Sequence, residues 1–306
     1  MTLPWIRRGG PLACALLLAA GCGLLDAPGA PRVVAHRSGS GNFPENSRAA
    51  VQAALQRGYA AIEVDLCLTR DHVPVLSHDM WLKPALCTRV DGTRLPEGSR
   101  ILIRDLTLEE LVRDYRCGGL RDPEKPDAEL IADQHMTLSE LLDALEGHPE
   151  VALQLDIKQD PAFTASAEAF ATAILGEWNE ARLPNPWFVT STQGELLKAF
   201  EARQPVETLL IWPTFTADTN TTVVGVLEEL KRTVGAQELV QLARDAGADG
   251  IAVSYAVSDR AALEVVRQAG MKTAVWTANT PAQLATFCRW PLDYLITDYV
   301  ERAPCR

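Results

Sequence analysis

Eight short apolar runs, rich in Val, Ile and Leu, recur at residues 33–36, 61–66, 151–157, 187–190, 208–212, 250–254, 273–277 and 294–297. Runs this short and this continuously apolar fit strands buried on both faces, as in a parallel sheet. Helical segments lie between most of them. Residues 47–57 stop at Gly58, residues 137–146 open on a Thr137/Glu140 capping box and stop at Gly147, and Thr280-Pro281 supplies a cap and a first-turn proline. Three junctions, 55–64, 242–253 and 266–276, share one order: helix, Gly, two or three residues, strand. That order is the helix-to-strand step of an α/β fold. Eight such strands over ~270 residues predict a (β/α)8 TIM barrel. The alternative, an open doubly wound sheet, lacks a GxGxxG after the first strand.

The alternation breaks at about residues 67–134. Residues 73–77 read as a returning hairpin strand, followed by a Pro/Gly-studded stretch with one short helix, 108–115, capped by Thr107 and Glu110. An insertion this long needs a function or its own packing. It is expected to be a small subdomain over the site, after strand two of a barrel spanning residues 32–303. Residues 217–223 form a second polar excursion, after strand five.

The start of the chain reads as an address. Arg7 and Arg8 precede an apolar run, 12–20, that ends in Ala19-Ala20-Gly21-Cys22. This is the pattern of a signal peptide, residues 1–21, with a linker at 22–31. Small residues before a Cys resemble a lipobox, which would make Cys22 the lipidated first residue of an exported envelope or periplasmic lipoprotein. Plain secretion is the alternative; an uncleaved buried helix is disfavoured by the Gly/Pro-rich stretch after Cys22. No apolar run reaches the ~18 residues of a permanent span, so membrane contact is expected through the anchor only.

An oxidising compartment permits disulfides. Cys87 and Cys117 flank one irregular segment, Cys288 and Cys305 flank the last strand, and these two pairs are the expected bridges. Cys67 reads as a buried free thiol. No CxxC or Cys/His cluster points to zinc. The formal net charge of −11, without Lys/Arg clusters, argues against nucleic-acid binding, which draws most of its affinity from phosphate contacts.

The polar residues carry the chemistry. Glu63 and Asp65 stand two apart on strand two, so both face the barrel interior. Two carboxylates in a dry interior raise each other's pKa. A divalent cation relieves this, and hard oxygen ligands suit Mg²⁺ or Ca²⁺. Asp156, near the end of strand three, can supply a third oxygen. The competing reading is a structural salt bridge to Arg or Lys. His36-Arg37 ends strand one, His78-Asp79 ends the hairpin and Lys158 follows Asp156. A lone His at a strand end is commonly structural. Here two imidazoles, an Arg, a Lys and three carboxylates all fall on the C-terminal side of the first three strands, the active face of a TIM barrel. A metal with Arg and Lys neutralises a phosphate, and two imidazoles can act as base and acid.

The ordered set His36-Arg37, Pro44-Glu45-Asn46-Ser47, Glu63-Val64-Asp65, His78-Asp79, Asp156-Ile157-Lys158, residues 275–279 (VWTAN) and residues 295–298 (LITD) resembles the glycerophosphodiester phosphodiesterase family. The likeness runs from about Val33 to Tyr299. It implies a metal-dependent barrel enzyme, active on small glycerophosphodiesters, with an insertion after strand two. By the same resemblance Glu63, Asp65 and Asp156 are metal ligands, and His36 and His78 are the acid–base pair. Arg37 and Lys158 contact phosphate, Glu45 lies near metal and glycerol, and Trp276 walls the glycerol or the alcohol. A barrel-top core role is the alternative for Trp276.

Three positions depart from the family pattern. Ser38 stands where Gly is usual, with Gly39 able to take over the turn. His72 replaces the Gly of the hairpin turn and is read as structural. Asp156 replaces Glu, as in sphingomyelinase-D-like relatives, which lack the Pro-Glu-Asn segment present here. That last departure keeps a phospholipase D or sphingomyelinase-D-like activity on lysolipids open, with Trp81 and Leu82 as candidate acyl contacts. A non-catalytic anchored binding protein is a further alternative.

Overall fold

The structure is a computed structural model that describes residues 29–212 and 235–306. The expected signal peptide at 1–21, Cys22, most of the expected linker at 22–31 and the excursion at 217–223 lie outside the described residues.

Eight parallel strands close into a barrel. They are β1 (Arg32–Ala35), β2 (Ala61–Leu68), β8 (Ala152–Ile157), β9 (Trp187–Ser191), β10 (Glu207–Trp212), β11 (Gly250–Ser254), β12 (Lys272–Trp276) and β13 (Tyr294–Thr297). Each pairs in parallel with the next, and β1 pairs with both β13 and β2, which closes the ring. All eight runs read from the sequence are strands here. Helices between them include α1 (Arg48–Gln56), α3 (Leu138–Leu145), α4 (Ala167–Ala181), α5 (Gly194–Glu201), α6 (Ala236–Asp245), α7 (Arg260–Gln268) and α8 (Pro281–Phe287).

Local chemistry sets the helix limits. Thr137 and Glu140 form the expected capping box of α3, and Thr280, with Gln283, caps α8 ahead of Pro281. The inward stripe of α3, Leu138, Leu141, Leu142 and Leu145, is buried against the barrel's outer face. Burying such a side chain is worth roughly 1.5–3 kcal/mol.

Alternation divides each strand between two cores. On β2, Ile62 and Val64 join the layer under the helices, while Ala61 joins the barrel interior with Val34, Ala152, Phe188 and Ile296. The interior therefore reads Ala61, Glu63, Asp65 going up β2, with β8 beside it in register: Glu63 opposite Gln154 and Asp65 opposite Asp156. An apolar plug fills the barrel bottom, and the acids stand above it.

The insertion leaves from β2. That strand runs two residues past the expected end because β3 (Pro74–Leu76) pairs antiparallel with Leu66–Leu68. His72 makes the turn with φ 62, a left-handed conformation that His tolerates better than most residues. Beyond it lie β4 (Trp81–Leu82), β5 (Cys87–Arg89), β6 (Ile101–Leu102), α2 (Leu108–Asp114) and β7 (Tyr115–Cys117). α2 ends one residue early because Tyr115 enters the β7 pairing with Arg89. A separate small core of Val75, Leu82, Leu95, Ile103, Leu111 and Tyr115 holds the subdomain. Cys87–Cys117 and Cys288–Cys305 are bridged, and Cys67 is a buried free thiol.

Candidate active site

The first turn after β1 aims two residues inward. Arg37 and Ser38 both have positive φ, 48 and 64, and Gly39 follows at 97. Ser38 thus takes the left-handed conformation itself, at a cost of order 1–3 kcal/mol. The reversal points the Arg37 N–H at Glu63, donating to Oε2 at 2.6 Å. The Arg37 side chain donates to Glu45 Oε2 at 2.5 Å and lies 3.4 Å from Asp65 Oδ2.

The Pro44–Ser47 motif has a structural explanation. Ser47 caps α1 and donates to the Pro44 carbonyl, and Asn46, at φ 52, clamps Asp65. The Asn46 amide donates to Asp65 Oδ2 at 2.8 Å, and its carbonyl accepts from the Asp65 N–H at 3.0 Å.

Glu63, Asp65 and Asp156 converge: one oxygen from each lies within 4.8 Å of the others. Glu63 Oε1 and Asp156 Oδ1 are buried and accept no hydrogen bond, and Asp65 Oδ1, buried as well, has only the ion-pair contact of the Lys158 ammonium at 3.1 Å. Orphaned oxygens of this kind call for an explanation, and a bound cation is one. Three hard, converging carboxylate oxygens fit Mg²⁺ or Ca²⁺.

The electrostatics separate the three acids. Burial and the neighbouring Asp65 and Asp156 charges hold the Glu63 carboxyl well above the usual range. Burial would raise Asp65 too, but Lys158, His78 and Arg37 together bring it below its ordinary value. Asp156 is raised, because burial and the Asp65 charge outweigh the Lys158 ammonium 2.5 Å from its Oδ2. Lys158 Nζ also lies 3.1 Å from Asp65 Oδ1.

A cavity of about 550 Å³ opens above these acids, walled by His36, Arg37, Glu63, His78, Asp156, Lys158 and Trp276, among others. The structure thus brings both imidazoles, two of the acids, both expected phosphate-binding cations and Trp276 to one space. Asp65 lies behind them, bonded to Asn46. The Trp276 indole donates to the Ala252 carbonyl at 3.1 Å, which fixes the ring at the wall. Glu45 does not line this cavity; it holds Arg37 from behind. Leu82 is buried in the insertion core, so it does not face the cavity, whereas Trp81 lines it beneath Arg100 and edge-on to Phe163.

His36 Nδ1 lies 2.7 Å from Asp298 Oδ1. Burial opposes ionisation of Asp298, but hydrogen bonds from His36 and Ser40 and the charge of Lys125 push its pKa well down. An ionised carboxylate only accepts, so Nδ1 donates and Nε2 keeps the lone pair. Burial also lowers the His36 pKa, Arg37 adding to the effect and Asp298 opposing it, so the ring is neutral near pH 7. Asn279 donates to Asp298 Oδ2 at 2.6 Å and accepts from the Asp298 N–H at 2.9 Å. His78 Nδ1 has no hydrogen-bond partner and stands 3.6 Å from Asp79 Oδ1.

Sequence reasoning gave no role to Asp298, Asn279, Asn46, Ser40 or Lys125. The first two sit just beyond β13 and β12, where the strand-end rule used for His36 would have found them. Ser40 and Asn46 belong to the loop after β1. Lys125 comes from the insertion, where no periodicity places a side chain.

A glycerophosphodiester phosphodiesterase of Caldanaerobacter subterraneus is 31% identical over 147 residues, 48% of this chain and 53% of that protein. A glycerophosphodiester phosphodiesterase 1 of Bos taurus is 50% identical over 78 residues, 26% of this chain and 20% of that one. The chain spans about half the length of the first curated relatives it matches. An Oleispira antarctica phosphodiesterase, solved with the product sn-glycerol-3-phosphate, shares the fold at TM-score 0.67 and 20% identity, over 90% of this chain and 95% of that one. The motifs that converge at the barrel mouth fall within residues 36–302, the stretch that matches the glycerophosphoryl diester phosphodiesterase family model, and the chain belongs to that family.

Proposed function

We propose that the chain hydrolyses glycerophosphodiesters to an alcohol and glycerol 3-phosphate, with Glu63, Asp65 and Asp156 holding Ca²⁺ or Mg²⁺. One observation carries this reading: both imidazoles share a cavity with Arg37, Lys158 and two of three converging carboxylates. When bound, the cation would neutralise charge on the phosphodiester and relieve the repulsion among its ligands. Arg37 and Lys158 bind the phosphate oxygens. His36, neutral and held through Nδ1, takes the proton from the nucleophile: water, which gives glycerol 3-phosphate directly, or the substrate's own glycerol hydroxyl, which gives a cyclic glycerophosphate that water then opens to glycerol 3-phosphate. As the new P–O bond forms and the old one breaks, His78 gives a proton to the departing alcohol. Trp276 walls the glycerol or the alcohol. Each proton transfer contributes roughly 10²–10⁴ in rate.

The test is release of glycerol 3-phosphate from a panel of deacylated diesters, glycerophosphocholine included, with each metal. His36→Ala and His78→Ala should abolish turnover and keep metal binding. Parental turnover by His78→Ala would remove His78 as the acid; no turnover of any diester by the parent would remove the function.

A second reading, a phospholipase D-like activity on lysolipids, is favoured by an apolar crevice beside the site. Leu86, Leu120 and Leu130 line it, it shares His78, Asp79 and Trp81 with the main cavity, and Leu130 is 47% exposed. Faster turnover of micellar lysolipid than of glycerophosphocholine would select it. No observation favours a non-catalytic binding role. For location we propose export, anchored at Cys22 or secreted; the two disulfides support an oxidising compartment.

A further inference from the structure

Lys125 enters the site from the insertion. Its Nζ donates to Ser40 Oγ at 2.6 Å and lies 3.6 Å from Glu45 Oε2 and 3.8 Å from Asp298 Oδ1. Ser40 Oγ in turn donates to Asp298 Oδ1 at 2.7 Å, the same oxygen that accepts from His36 Nδ1. An unbroken chain of hydrogen bonds therefore runs from an ammonium on the insertion to the catalytic imidazole. On its other side the same ammonium faces Glu45, the carboxylate that holds Arg37. Lys125 lines the crevice beside the main cavity rather than the main cavity itself, and its side chain is only 11% exposed. Its polar contacts are with protein groups: Ser40, Glu45 and Asp298.

The segment that carries it is pinned at both feet. Cys117 is bridged to Cys87 and exchanges backbone hydrogen bonds with Asp133 at 2.9 Å. Gly118 donates to the Leu86 carbonyl and accepts from Ile131, both at 3.0 Å. A Cβ on Gly118, at φ +84, would meet the Ile131 carbonyl at 2.6 Å and Pro44 at 2.7 Å. Glu129 donates to the Asn42 carbonyl at 3.0 Å. The loop is thus seated on the Pro44–Asn46 turn that supplies Glu45.

We propose that Lys125 is a positioning residue for His36: it fixes Ser40, and through Ser40 the Asp298 carboxylate, so that the active site is complete only when the insertion is docked. This rests on the reading of His36 as the base. The ammonium orients the Ser40 hydroxyl toward Asp298, keeps that carboxylate ionised, and so holds the Nδ1–H tautomer that leaves Nε2 free to accept a proton.

The experiment is a double-mutant cycle with a spectroscopic readout. Lys125→Met, Lys125→Gln, Lys125→Arg and Ser40→Ala, with the Lys125→Met/Ser40→Ala double variant, are assayed on glycerophosphocholine. Lys125→Met and Lys125→Gln should each lower kcat about ten-fold while KM moves less than about three-fold, and Lys125→Arg should recover most of the loss. In the Ser40→Ala background Lys125→Met should cost less than about two-fold, because both residues act through one chain. Histidine-selective NMR should show the His36 Nδ1 proton in the parent and its loss to solvent exchange in Lys125→Met and Lys125→Gln. Parental kcat in both variants overturns the proposal, as does a full loss in the Ser40→Ala background or a rise in KM alone. A parent inactive on every diester would sink the proposed function, while the His36 signal would still decide for or against the role of Lys125.

Discussion

His36 Nδ1 and Asp298 Oδ1 meet at 2.7 Å although 262 residues separate them in sequence. β1 and β13 are neighbours in the closed barrel, and the turn after each brings its polar residue to the same rim. Asp298 accepts from His36, Ser40 and Asn279 together. Asp298→Asn keeps the shape but offers an amide that accepts more weakly and can turn its NH₂ toward Nδ1. We expect kcat on glycerophosphocholine to fall by about 10²–10⁴-fold, the worth of one positioned proton transfer. Metal titration should be unchanged, since Asp298 is not one of the three converging acids. Parental kcat would remove Asp298 as the orienting group.

Glu63 makes a separable prediction about the metal. Its carboxyl is held up by burial and by Asp65 and Asp156. In Glu63→Gln that repulsion goes, and the amide oxygen still accepts from the Arg37 N–H. The metal-free variant should therefore melt no lower than the metal-free parent. The parent should gain stability with Ca²⁺ or Mg²⁺, about 2.7 kcal/mol at a hundred-fold excess over Kd; the variant should gain little. Equal metal-induced shifts in Tm would show that Glu63 is not a ligand.

Much of this was legible in the chain because it is carried by period and position. Alternation on β2 separates Glu63 and Asp65 from Ile62 and Val64, and the capping pairs at Thr137 and Thr280 fix helix starts within a residue. The spacing that suggested Cys87–Cys117 and Cys288–Cys305 suited the bridges that form. What escaped depends on side-chain direction inside irregular backbone. Lys125 sits among Pro and Asp residues with no strand or helix to set its heading, and only the docked insertion turns it toward Ser40. Leu82 alternates with Trp81 like any strand pair, and nothing local says which of the two faces the subdomain core.

His135 sets an acid limit on stability. Burial lowers its pKa from 6.5 to about 4, and its Nδ1 has no hydrogen-bond partner. Because the folded value is the lower one, the unfolded chain takes up the proton first as pH falls. The neutral ring's contribution is therefore present above about pH 6.5 and lost as pH drops towards 4, on the order of 3 kcal/mol. Glu177, pushed up to about 7 by burial, has the opposite sign: its contribution falls as pH rises through that value. The comparison is thus between parent and His135→Gln, by denaturant unfolding at pH 4, 5, 6 and 7. The variant should lose less stability on acidification; parallel curves would mean that the ring does not titrate in this range.

The two disulfides should separate stability from catalysis. Cys87–Cys117 closes 30 residues and Cys288–Cys305 closes 17, so loss of either should cost about 2–4 kcal/mol through the entropy of the unfolded chain. Their links to the site differ. Cys117 begins the segment that delivers Lys125, while Asp298, though it lies between Cys288 and Cys305, is fixed by Asn279 and by the pairing of β13 with β1. The Cys87→Ala/Cys117→Ala variant should therefore lose both Tm and kcat, with kcat approaching that of Lys125→Met. The Cys288→Ala/Cys305→Ala variant should lose Tm and keep kcat, assayed well below its melting point. Equal kcat in the two variants would mean that the Cys87–Cys117 bridge holds only the subdomain and not the ammonium at its tip.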